Sequence, residues 1–115
     1  MFIKKSPNEL DLLTFFESEP TFVDNDSLIY SYSYNDLNLS LIFTFSVIEG
    51  WIKVVTKYKD QILCEYLTEG VESFELGSDN GKEYICSNVT NSSNQTQIIV
   101  QIKPCISVNI NTLVL

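Results

Sequence analysis

Six acids fall close together in one stretch of the chain, Glu65, Glu69, Glu72, Glu75, Asp79 and Glu83, with Lys82 the one cation among them. Carboxylates at that density attract a basic protein partner; they are equally the pattern of a solvated sheet edge whose charges prevent edge-to-edge pairing. On the first count Glu65, Glu69, Glu72, Glu75 and Asp79 are the candidate partner-binding acids. Tyr30, Tyr32 and Tyr34 alternate with Ser31 and Ser33. Strict alternation marks the buried face of a strand, whereas tyrosine is also favoured at protein interfaces, so Tyr30 and Tyr32 join the acids as candidate contacts.

The residues needed for most catalysis are missing. The chain has no His and no Arg, which removes the commonest general acid/base, the commonest metal ligand and the bidentate phosphate clamp. A Ser or Cys nucleophile then has no imidazole to activate it. A pair of carboxylates can cut a glycosidic bond, but among 15 acids no motif places such a pair. Asp24-Asn25-Asp26 opens like a calcium loop, yet Ile29 stands where the loop glycine belongs and no Glu follows at the twelfth position. Cys64, Cys86 and Cys105 are odd in number and widely spaced; without a Cys-x-x-Cys pair they read as buried free thiols. No catalytic residue, cofactor or metal is expected.

Five Asn-x-Ser/Thr sequences begin at Asn25, Asn38, Asn88, Asn91 and Asn94. Met1-Phe2-Ile3-Lys4-Lys5 lacks the apolar core of a signal peptide, and no apolar run reaches the length of a membrane span. Cytoplasm is the expected compartment, with no membrane partner and no glycosylation. The 15 acids outweigh 7 lysines to give a net charge of −8. That field repels nucleic acid as a direct ligand and speeds the approach of a basic protein.

The elements that must position these residues are legible from periodicity. At 115 residues, 44% hydrophobic and 19% charged, residues 1–115 read as one globular domain. Ser6-Pro7-Asn8-Glu9 reads as a capping box with Ser6 at the cap, and Leu10, Leu13 and Phe16 or Glu17 as the apolar stripe of a helix of about three turns that ends near Ser18, ahead of Pro20. From Leu28 the period becomes two. Asn35-Asp36 is the expected turn; Leu37, Leu39, Leu41, Phe43, Phe45 and Val47 share one strand face; and Glu49-Gly50 breaks into a strand over Trp51 to Tyr58, with Ile52, Val54 and Tyr58 on one face. Lys59-Asp60 turns into a strand over Gln61 to Leu67, whose inward side the pattern does not decide. A short strand follows around Val71 to Leu76. Ser78-Asp79-Asn80-Gly81 is a tight turn leading to Lys82–Ser87, and the polar stretch Asn88 to Gln97 reads as a long hairpin loop. Ile98, Val100 and Ile102 resume the alternation, Pro104 interrupts it, and Ile106, Val108 and Ile110 continue. The expected fold class is α+β, mainly β: an antiparallel meander curled into a sandwich or a partly open barrel, with one short N-terminal helix packed on it. Trp51 precedes all three cysteines, which argues against an immunoglobulin-type sandwich.

Taken in order, the helix ending Phe15-Phe16-Glu17-Ser18-Glu19-Pro20, the strand Phe43-Thr44-Phe45 running into Glu49-Gly50-Trp51, and the late Ile102-Lys103-Pro104 resemble the immunity proteins of bacterial contact-dependent growth inhibition and related polymorphic toxin systems. The resemblance implies a small cytoplasmic inhibitor, not an enzyme, whose partner is a cognate toxin C-terminal domain. A basic toxin such as a nuclease suits the charge, and an inhibitor needs neither His nor Arg. A module that binds a small molecule or glycan on Tyr30, Tyr32, Tyr34 and Trp51 is the alternative. A structural subunit with a free sheet edge is a third reading.

Overall fold

A computed structural model describes residues 2–115. Helix α1 (Glu9–Phe16) precedes nine strands: β1 (Phe22–Asp24), β2 (Ile29–Asp36), β3 (Leu39–Ser46), β4 (Trp51–Tyr58), β5 (Gln61–Glu69), β6 (Glu75–Asp79), β7 (Lys82–Thr90), β8 (Asn94–Lys103) and β9 (Ser107–Val114). They form two open antiparallel sheets, one in the order β1-β2-β3-β4-β5 and the other β6-β7-β8-β9. Each strand pairs with its neighbours in sequence, as a meander requires. The sheets do not close into a barrel, and the change of sheet falls between β5 and β6.

One apolar cluster serves both sheets. Leu41, Phe43 and Phe45 of β3 and Ile52 and Val54 of β4 meet Ile85 of β7 and Ile98, Val100 and Ile102 of β8. The register explains the pattern: Phe43 lies opposite Val54 and Tyr32, and Val100 opposite Ile85 and Val108, so every second residue faces the core. Phe74, in the connection between the sheets, is 2% exposed and meets Phe45 and Phe43 edge-on at 4.9 and 5.4 Å. Val71 is fully buried beside it. The strand expected over Val71 to Leu76 is therefore mostly irregular connector, because its apolar side chains plug the core where the chain changes sheet.

Residues 3–5 tie this connector down. The Ile3 amide donates to the Val47 carbonyl at 2.8 Å, the Lys4 and Lys5 amides donate to the Glu72 carbonyl, and the Phe74 amide donates to Lys5. Lys5 pairs with Ser73 in a parallel bridge. This pairing moves the helix start. The cap is Asn8, not Ser6: its side-chain oxygen accepts from the Asp11 amide at 2.8 Å, and Asn serves at least as well there as Ser. With Lys5 held in the bridge, the chain turns only after Pro7. Leu12, Phe15 and Phe16 form the buried face, while the expected Leu10 is 69% exposed. The helix has eight residues and ends at Phe16, with Glu17 in the left-handed conformation (φ 59°).

Other boundaries differ in the same instructive way. The β2–β3 turn is Leu37-Asn38, two residues beyond Asn35-Asp36, because Asp36 pairs with Leu39 and Tyr34 with Leu41 to keep the tyrosines on the core side. Tyr58, expected inward, is 41% exposed at the end of β4. The polar stretch Asn88 to Gln97 is not a long loop. β7 runs to Thr90 and β8 starts at Asn94, leaving a three-residue turn in which the Asn91 side chain accepts from the amides of Ser93 and Asn94. Asn88, Gln95 and Gln97 face outward, where sheet hydrogen bonding asks nothing apolar of them. The thiols are not buried either: Cys105 is exposed, and Cys64 and Cys86 are half-buried. Cys64 sits on edge strand β5, Cys86 on the outer side of β7 opposite Glu75, and Cys105 in the turn after the cis Lys103–Pro104 bond. Among the described residues no helix is long and apolar enough to cross a membrane.

Candidate partner-binding surface

The acidic stretch follows the chain from one sheet to the other, so its members part company. Glu65 and Glu69 lie on edge strand β5, opposite Val55 and Trp51 and hence on the outer face of the first sheet. The Glu65 carboxylate meets Lys53 at 3.0 Å. Glu72 is in the connector, 3.3 Å from Lys4. Glu75 and Asp79 lie on β6, the edge of the second sheet, opposite Cys86 and Lys82 on its outer face. Glu83 follows across the hairpin and shares Lys103, at 3.6 Å, with Glu17 at 3.0 Å. These ion pairs are exposed to water, which screens them, and they contribute little to holding the fold together. Burial first, then the Glu75 carboxylate, raise the Cys86 thiol above its ordinary value.

The tyrosines belong to the core side. Tyr32 is 2% exposed, with its ring stacked on Phe16 at 4.9 Å. Tyr30 packs against Phe45 at 5.3 Å. Both still line a depression of about 460 Å³ under α1, together with Glu9, Glu19 and Pro20. Burial first, then the charges of Glu9 and Glu19, raise the Tyr32 hydroxyl above the usual tyrosine value. Trp51 sits on the other face of the same sheet, opposite Ser46 and Glu69, so Trp51 and the tyrosines do not combine into one aromatic platform.

A larger cleft, about 510 Å³, runs between α1 and β6. Asp11, Thr14 and Phe15 form the helix wall, Glu75 to Ser78 the strand wall, and Lys5 to Pro7 one end. The backbone of β6 fixes what that wall presents. Asn80 and Gly81, both at positive φ (52° and 78°), make a two-residue turn closed by Asp79 and Lys82. In such hairpins the closing pair exchanges hydrogen bonds, and alternation then aims the amides and carbonyls of Ser78 and Leu76 away from β7. The same parity holds upstream, where the Glu72 carbonyl and Phe74 amide bond residues 4 and 5. The ring of Tyr84 lies over Gly77, where any Cβ would collide with it.

Sequence reasoning found the acids of this wall and missed Lys5, Thr14 and Asp11, whose place depends on the long-range pairing of residues 3–5. Among the described residues no group of three or more Cys, Asp or Glu is placed to hold a metal ion. The Asp24 carboxylate instead accepts from the amides of Asp26 and Ser27 at 3.0 and 3.3 Å, an Asx turn.

No family model and no curated protein matches the chain. Among solved structures it matches one chain of a contact-dependent growth inhibition toxin–immunity protein complex from Klebsiella pneumoniae 342, with a TM-score of 0.95 and 32% identity over 98% of this chain and 100% of that one. At 98% coverage the match takes in α1, both sheets and the connector between them. The chain belongs to the immunity proteins of bacterial contact-dependent growth inhibition systems.

Proposed function

We propose that the protein binds a cognate toxin C-terminal domain in the cytoplasm and neutralises it by covering its active site or an adjoining surface, without chemistry of its own. The observation that carries this reading is the match over almost the whole chain, at 32% identity, to a protein solved within a toxin–immunity complex. The net charge of −8 suits a basic toxin, and a nuclease, which must itself attract a polyanion, is the class that best complements it. Glu65 and Glu69 on the outer face of the first sheet, Glu72 in the connector, and Glu75 and Asp79 on the outer face of the second supply the proposed acidic contacts. Tyr30 is the aromatic contact, reached through the depression under α1, while Tyr32 supports it from the core.

The test is a pull-down against the C-terminal toxin domain encoded beside this chain, with growth rescue in cells expressing that domain. Wild-type protein should bind and rescue. A variant carrying Ser at Glu65, Glu69, Glu72, Glu75 and Asp79 should bind at least tenfold more weakly, mainly through slower association. Unchanged affinity in that variant would remove the acids from the interface; absence of both binding and rescue by the wild type would end the immunity reading.

A further inference from the structure

We infer that the open edge of β6 receives an extended, lysine- or arginine-bearing segment of the toxin, which adds a strand to the second sheet inside the cleft beneath α1. This rests on the immunity reading above and names the surface and the form of the partner.

Four outward-facing backbone positions run along one line: Glu72, Phe74, Leu76 and Ser78. The protein's own residues 4 and 5 take the first two, through the Glu72 carbonyl and the Phe74 amide. The chain then leaves at Ser6 and Pro7 for the helix. Leu76 and Ser78 are left facing the cleft, and no backbone partner for either amide lies there among the described residues. An unpaired strand edge is a template for another chain. Here α1 walls the template, so an entering segment is held on two sides. From Phe74 to Ser78 the edge spans about 13 Å, room for roughly four extended residues.

Charge chooses the occupant. Asp11, Glu75 and Glu83 line the cleft, where Lys5 is the one lining cation among the described residues, and Lys103, outside the lining, pairs with Glu83 at 3.6 Å. A second copy of this acidic chain would meet its own charge there, whereas a basic toxin segment would be drawn in. The floor at Phe15 and Phe74 offers an apolar stop for one inward side chain.

The experiment uses the full chain and the adjacent toxin domain. Ser78→Pro removes the outward amide and places a ring at the edge, a substitution that edge strands tolerate. It should keep the wild-type unfolding midpoint while weakening toxin binding at least tenfold. Amide exchange on the wild-type complex gives a second readout that does not depend on the variant's folding. The Leu76 and Ser78 amides should exchange at least tenfold more slowly with toxin bound. Wild-type affinity in S78P, or exchange at Leu76 and Ser78 unchanged by the toxin, overturns the added strand while leaving the immunity reading intact. Failure of the wild type itself to bind or rescue overturns both.

Discussion

Tyr32 keeps its proton longer in the folded protein than in an unfolded chain, because its ring is buried against Phe16 and its hydroxyl feels Glu9 and Glu19. The folded value lies above the unfolded one. Its contribution is therefore complete below the unfolded value, about pH 10, and is lost as pH rises through the folded one. Urea unfolding in that alkaline range should show wild-type stability falling more steeply with pH than that of Tyr32→Phe. Parallel slopes for the two proteins would mean that the hydroxyl does not sense its surroundings. Alternation alone placed this tyrosine on the core side; the carboxylates that tune it come from α1 and the turn after it, which no short-range pattern reveals.

At the scale of elements, the N-terminus of α1 offers a sharp comparison. Asn8→Ala removes the acceptor for the Asp11 amide and should cost about 1 kcal/mol, whereas Ser6→Ala, two residues before the cap, should cost much less. Paired denaturant titrations measure both, and a larger loss at Ser6 would return the cap to that position. Two plausible caps stood close together in the sequence, and the choice between them was made by Lys5, pinned to Glu72 and Phe74 far along the chain. Strands were easier. The strand over residues 51–58, apart from the exposed Tyr58 at its end, and the turn at Asn80-Gly81 emerge as read, since alternation and turn chemistry are local. The stretch from Asn88 to Gln97 reads as a loop because outward Asn and Gln look the same in a strand as in a loop, and only the pairing of β7 with β8 and of β8 with β9 tells them apart. The acids of the candidate surface were visible for their charge, yet their division between two sheets depends on where the connector dives into the core.

For the molecule as a whole, a net charge of −8 makes the first encounter with a basic partner electrostatic. Raising ionic strength from 0.05 to 0.5 M, as an order-of-magnitude range, shortens the screening length from about 14 to about 4 Å. Stopped-flow association with the toxin domain should slow at least tenfold over that range, with dissociation changing far less. Equal slowing of both rates would shift the weight from steering to contacts in the bound state.

The order of the strands also carries a consequence in time. Every ladder joins sequence neighbours, so each can zip from a short turn without waiting for distant parts of the chain to meet. The bridge between Lys5 and Ser73 is the long-range closure, and it fastens the N-terminal segment alongside a connector whose neighbouring sheets have already formed. A protein made this way reaches a binding-ready shape early in its lifetime, and a newly made copy offers its antidote surface almost as soon as its last hairpin closes.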